Sequence, residues 1–217
     1  MKEIIPAFIP NTFFDLKDAA AVVKQYSKTF HVDVMDSSCT PKNSWPYNDN
    51  DTNFKNIQEE KEGLPYWDDL SYEVHIMMKN PKDAIVEWFK AGASRIVIHA
   101  DYDIPTTVLE PVKGFMDITI AILPSTPIEK LDQWIPFISG IQIMGSDHIG
   151  ESGIMLDEKA LEMAKKIQEK YPNIPLAIDI GVNEETVDTL IQAGFSKLIT
   201  NSWFWESEEK EALVKWV

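Results

Sequence analysis

Cysteine is nearly absent from this sequence. Cys39 is the one thiol in 217 residues, which excludes an intramolecular disulfide framework and fits a reducing compartment. Cations are scarce too: 20 Lys and Arg face 35 Asp and Glu, for a formal charge of −15 and a pI near 4.6. Nucleic acid and anionic membrane both require clustered basic residues, so neither is expected as a partner. An anionic substrate would need a local site that overcomes the overall field. Long apolar runs are missing as well. No stretch approaches 18 apolar residues, and the short run near the start is broken by Pro6 and Pro10, so neither a membrane span nor a signal peptide is expected. The expected location is cytoplasmic. Core material, by contrast, is ample: 44% hydrophobic residues with 11% aromatics can fill one globular domain over residues 1–217.

Short β-branched runs recur at 3–9, 30–35, 72–77, 95–99, 117–122, 140–144, 175–179 and 197–200, which predicts eight strands. Helical patterns lie between most of them, at 15–27, 81–91, 127–134, 156–170 and 184–193, with a charged closing segment at 206–217. Strand alternating with helix implies parallel pairing, and eight such units suit a (β/α)8 barrel, a TIM barrel, better than an open doubly wound sheet. An internal echo supports the repeat. Residues 80–99 and 183–201 each open on an Asn expected as helix N-cap, end the helix at Ala-Gly, and pass through Ser and a cation into a strand. Pro81 is expected at the first helical position, where its missing N–H costs nothing. In this register His99 and Asn201 occupy equivalent places at the mouth of a strand.

The one extended connection, about 37–70, is rich in aromatics (Trp45, Tyr47, Tyr66, Trp67) and acids, and a long βα loop of this kind serves function or an interface. Within it Asp49, Asp51, Asn53 and Glu60 fall at EF-hand offsets. Phe54 stands where that loop requires glycine, so a polar turn leading into a short helix from about residue 53 is the preferred reading.

The stretch HVDVMD, residues 31–36, places His31, Asp33 and Met35 on one face of a strand and Val32 and Val34 on the other. A polar pair on a buried face is costly unless it is used. In a parallel barrel the active site forms at the C-terminal strand ends, where His31, Asp33, His75, His99, Asp179, Asn201 and Ser202 all lie. Two imidazoles and two carboxylates converging there would form a shell for one divalent ion, Zn, Mn, Co or Fe(II). Each also has a structural explanation: a lone strand His is commonly a satisfied core residue, a strand-end Asp a helix cap, and Met35, Met77 and Met144 core filler.

In order and spacing, HVDVMD, EVHIMM (73–78), ILPSTPIEKL (122–131), IMG (143–145), LAIDIGVNEET (176–186) and LITNSWFW (198–205) resemble the ribulose-phosphate 3-epimerase family. Members of that family show H-I/V-D-x-M-D-G, H-L-M-V, N-P-x-T-P, a glycine-rich loop after strand six, V-D-G-G and G-S-A-x-F. The resemblance spans nearly the whole chain and implies a ribulose-phosphate-binding barrel. It puts the metal on His31, Asp33, His75 and Asp179, with Asp33 and Asp179 also serving as the acid/base pair. It implies an apolar wall of Met35, Met77 and Met144 around the intermediate, and substrate contacts at Gly153, Gly181, Asn201 and Ser202. The departures cluster at the phosphate end. Ile180 replaces the first glycine of V-D-G-G, Asn201 and Ser202 stand for G-S, and residues 145–153 lack the usual loop motif. Elsewhere Ala7 replaces a first-strand serine, Ser37 the glycine after MD, and Asp101 the usual Glu after the strand-four His.

The resemblance therefore implies a metal-dependent ketose-phosphate 3-epimerase, an isomerase of the pentose phosphate pathway interconverting D-ribulose 5-phosphate and D-xylulose 5-phosphate through an enediolate. The implied partner is a small phosphorylated sugar, and assembly into a homo-oligomer stays open. Two other readings are kept: the same chemistry on another ketose phosphate, such as a hexulose 6-phosphate, and a barrel that has lost catalysis and binds a ligand or a partner. Related decarboxylases need D-x-K-x-x-D on a strand, and HVDVMD has no lysine. The roles of His99 and of His148, in the loop after the sixth strand, stay open, with packing beneath the mouth preferred for His99.

Overall fold

The computed structural model of the protein describes residues 2–48, 52–151 and 153–216. Asp49 and Asp51, two of the EF-hand offsets, lie outside the described residues. Eight parallel strands close into a barrel in sequence order: β1 (Glu3–Phe8), β2 (Thr29–Met35), β3 (Ser71–Met77), β4 (Arg95–His99), β5 (Asp117–Ile122), β6 (Gly140–Met144), β7 (Leu176–Asp179) and β8 (Lys197–Thr200). The helices are α1 (Phe13–Val23), α2 (Thr52–Gln58), α3 (Lys82–Lys90), α4 (Glu158–Lys170), α5 (Val187–Gln192), α6 (Ser202–Glu206) and α7 (Lys210–Val214). This is the TIM barrel architecture. No helix among the described residues is long and apolar enough to cross a membrane.

Period-two alternation decides what faces the barrel axis. The outward residues Val32, Val34, Val74, Ile76, Ile96 and Ile98 join the buried layer between sheet and helices. Helix α4 shows the matching helical period, burying Ala160, Met163, Ala164 and Ile167 while its charged residues face outward. Inside the barrel Ile5, Ala7, Ala177 and Ile199 form one small cluster. Nearer the mouth, Met35, Met77, Val97, Ala121, Met144 and Ile149 form another. The β2/β3 register pairs His31 with Glu73, Asp33 with His75 and Met35 with Met77, so the two polar strand faces lie side by side.

Several sequence expectations shift. The helix expected at 127–134 is instead two 3₁₀ turns, Ile128–Leu131 and Ile135–Phe137, because Pro127 and Pro136 bracket too few residues for a stable α-helix. Asn80 does not cap α3. Pro81 holds the N-cap place, its carbonyl accepting from Ile85 N–H at 2.9 Å, so the helix begins one residue later than expected. Asn183 caps a turn ahead of α5: its Oδ1 accepts from Glu185 and Thr186 N–H at 2.9 and 3.1 Å. Helix α1 starts earlier than 15, since Thr12 and Asp15 form a reciprocal capping box. The closing segment splits into α6 and α7.

The extended connection after β2 is anchored. Trp45, Phe54 and Trp88 pack edge-on and tilted with centroids 4.7–5.9 Å apart, tying the loop and α2 to α3. Ser44 closes its entry, accepting from Met35 N–H through Oγ at 3.1 Å and donating its own N–H to the Met35 carbonyl at 3.0 Å.

Candidate active site

Four side chains from three strands meet near the barrel axis. His31 and Asp33 from β2, His75 from β3 and Asp179 from β7 each offer one donor atom, and these atoms all lie within 4.8 Å of one another. His75 Nδ1 is 2.9 Å from Asp33 Oδ1 and 3.6 Å from Asp179 Oδ2, while His31 Nε2 is 3.4 Å from Asp33 Oδ1. Both imidazoles are completely buried, and His31 Nε2 has no hydrogen-bond partner among the described residues. A buried nitrogen without a partner beside two buried carboxylates is a donor set that a cation would satisfy. Two nitrogens and two oxygens suit a borderline divalent ion, so the residues fit one.

The outer partners of these histidines differ. His31 Nδ1 lies 2.8 Å from Glu73 Oε1. His75 Nε2 lies 2.9 Å from His99 Nε2, and His99 Nδ1 lies 2.8 Å from Asp101 Oδ2. Asp101 in turn accepts from Leu123 N–H at 3.2 Å and from the Thr126 hydroxyl. Burial pushes the His99 pKa down, against the pull of Asp101, and so keeps it neutral near pH 7. A neutral His99 donating to Asp101 must accept at Nε2, so His75 donates there through its own Nε2, with Nδ1 turned to the site 2.9 Å from Asp33 Oδ1. His99 thus packs beneath the mouth, in contact with His75. His148 is exposed in the loop after β6.

The two carboxyls are driven apart. Burial and the nearby Asp33 charge raise Asp179 to about 6. Burial would also raise Asp33, but the facing His31 and His75 imidazoles outweigh it and hold that group below the ordinary range. One of the pair is therefore readily protonated and the other ionised, the condition for acid/base work by two like groups.

Asp33 and Asp179 open into a cavity of about 150 Å³ whose walls include Met77, Met144, Gly153, Gly181, Asn201 and Ser202. Met35 packs with Met77 and Met144 in the mouth cluster, against Ile180. No Lys, Arg or His is among the described residues lining this cavity. Ile180 and Gly181 have φ of 78° and 77°, and Ser37 has φ of 65°. The left-handed backbone is thus present at two of the positions where the resemblance expects glycine and finds a side chain, while at the third, Asn201, φ is −106°. At Gly181 a Cβ would also meet the Leu156 backbone at 2.7 Å.

Sequence reading missed Glu73. The signal was available, since residues 73, 75 and 77 share one strand face, but only the later two match a known motif.

The molecule is thus a parallel (β/α)8 barrel with a buried group of imidazoles and carboxylates that could hold a metal ion, placed where barrel enzymes carry their active sites. The sequence profile described as "Ribulose-phosphate 3 epimerase family" matches residues 3–205, and the chain belongs to that family, whose members are epimerases and hence isomerases. It is 22% identical over 218 residues to the ribulose-phosphate 3-epimerase of Schizosaccharomyces pombe, covering 98% of this chain and 90% of the relative. Identity is 24% over 217 residues with the ribulose-phosphate 3-epimerase of Mycobacterium tuberculosis, covering 97% and 89%. Among solved structures, a 3-hexulose-6-phosphate synthase superposes with a TM-score of 0.65 at 15% identity, covering 99% of this chain and 97% of that one. A tryptophan synthase α-subunit variant from Pyrococcus furiosus gives 0.65 at 13%, covering 99% and 96%. These structural likenesses concern the fold.

Proposed function

We propose that the protein is a divalent-metal-dependent ketose-phosphate 3-epimerase that interconverts D-ribulose 5-phosphate and D-xylulose 5-phosphate in the cytoplasm. The observation that carries this reading is the convergence of His31, Asp33, His75 and Asp179 on one side of a cavity walled by methionines.

A bound divalent ion would supply Lewis-acid stabilisation to the enediolate that forms when the C3 proton is removed. Asp33 and Asp179 move the protons. The ionised carboxylate takes the C3 proton, the protonated one returns a proton to the opposite face of that carbon, and the reverse reaction exchanges their roles. Met35, Met77 and Met144 exclude water and offer the intermediate no competing donor or acceptor.

At the far end of the cavity, backbone N–H groups of Gly153, Gly181 and Ser202 would receive the phosphate, an interaction that needs main chain rather than side-chain charge. The left-handed Ile180–Gly181 pair supports this, because it keeps a backbone that two glycines would adopt. Holding Ile180 there costs about 1–2 kcal/mol, which the surrounding packing must offset.

The test is protein purified without chelator, its metal content, and turnover of D-ribulose 5-phosphate with a coupled readout for the xylulose product. Stoichiometric metal with turnover supports the reading. Metal without turnover redirects the substrate to another ketose phosphate such as a hexulose 6-phosphate, and neither metal nor turnover would leave a catalytically retired barrel.

A further inference from the structure

We infer that Glu73 is a positioning residue: it holds His31 in the tautomer whose Nε2 faces Asp33 and Asp179, and Arg95 and Lys197 in turn fix Glu73. The inference rests on the proposed metal-binding role of His31.

Glu73 is 2% exposed and sits on the inward face of β3, one register step below His75. All of its contacts come from other strands. Oε1 lies 2.8 Å from His31 Nδ1 on β2, and Oε2 lies 2.7 Å from Arg95 Nη1 on β4 and 3.3 Å from Lys197 Nζ on β8. Arg95 is the chain's only arginine, and its Nη2 reaches Asp117 Oδ2 on β5 at 2.8 Å. Four strands are thereby tied to one carboxylate at the barrel floor.

The chemistry of that contact leaves little freedom. A carboxylate paired with two cations is ionised and can only accept, so the proton shared with His31 belongs to Nδ1. In the neutral ring the lone pair is then on Nε2, the atom that is buried, has no hydrogen-bond partner among the described residues and points at Asp33. A ring donating through one nitrogen to a fixed carboxylate cannot rotate or change tautomer without breaking that bond. This is how carboxylates behind metal-binding histidines set ring orientation and ligand basicity. The competing account makes Glu73 merely the counter-charge of Arg95 and Lys197, in which case its loss alters stability and nothing at His31.

The experiment compares the full-length wild-type chain with Glu73→Gln. Zinc affinity is read by competition with a chromophoric chelator, and the histidine rings are read in long-range ¹H–¹⁵N spectra of the zinc-loaded protein. The wild type should show His31 protonated at Nδ1 and bound through Nε2. In Glu73→Gln the amide can donate as well as accept, so the tautomer is no longer enforced, and zinc affinity should fall by about 10- to 100-fold with a perturbed His31 spectrum. A folded Glu73→Gln with wild-type zinc affinity and an unchanged His31 spectrum overturns the inference. Should that variant not fold, the wild-type spectrum alone decides, because zinc bound through His31 Nδ1 overturns it as well. Wild-type protein that takes up no zinc, Mn, Co or Fe(II) fails the metal reading itself, a result distinct from metal bound in the wrong tautomer.

Discussion

Asp33 on β2 and Asp179 on β7 are the same chemical group in different surroundings, and their neighbours set how readily each is protonated. Asp33 faces two imidazoles; Asp179 faces Asp33 and lies 3.6 Å from one imidazole. Asp33→Asn and Asp179→Asn should each lower kcat by at least about 10²- to 10⁴-fold, the range one acid/base group supplies, with unchanged far-ultraviolet circular dichroism. Appreciable turnover in either variant would remove that residue from the mechanism. Ile180 carries a different tension. Its backbone strain favours glycine, while its side chain packs against the mouth cluster. In Ile180→Gly the relieved strain of about 1–2 kcal/mol and the lost packing of a half-buried side chain should nearly cancel, leaving urea stability within about 1 kcal/mol. A loss above about 3 kcal/mol would show that the side chain, not the backbone, explains the isoleucine.

The β2 and β3 pair is the element that makes the site. Parallel register aligns His31, Asp33 and Met35 with Glu73, His75 and Met77, so two period-two patterns become one surface of graded character. Charge lies at the floor, metal-type donors lie above it, and methionines line the mouth. The extended connection after β2 depends on another contact, Trp88 of α3 against Trp45 and Phe54. Trp88→Ala should destabilise the protein by about 3–5 kcal/mol in urea unfolding, the usual cost of a fully buried large aromatic. It should also make the 37–48 segment more accessible to limited proteolysis. Wild-type proteolysis with reduced stability would mean that the loop is held by its other contacts.

At the scale of the whole molecule, a surplus of acid surrounds the few buried cationic positions. Burial lowers the His31 pKa, but the facing Asp33 and Glu73 carboxylates raise it by more, to about 10 from an ordinary 6.5. A group that binds its proton more tightly when folded contributes stability that is complete below about 6.5 and is lost as pH rises toward about 10. Metal-stripped protein should therefore show a falling Tm across that window. Zinc-loaded protein, with His31 neutral and Nε2 engaged, should lose less, and should melt higher than stripped protein at any pH where zinc binds the folded state alone. A flat Tm in stripped protein would contradict the charged state of His31.

Periodicity alone determined much of this protein. Eight β-branched runs separated by amphipathic segments admit few folds other than a parallel barrel, and the alternation in HVDVMD places His31 and Asp33 on a common face whatever the topology. Local chemistry read less well where prolines bracket short segments: the 127–134 pattern has helical spacing, yet Pro127 and Pro136 leave room only for 3₁₀ turns. What lies beyond the reach of any window is closure. Bringing Asp179 to His75, or Lys197 and Arg95 to Glu73, joins residues up to 124 positions apart, and only the strand order and stagger of the closed barrel decide that they meet. Glu73 shows the reason most plainly, since in the sequence it is one polar residue in a strand and its partners exist only once three other strands have been brought around it.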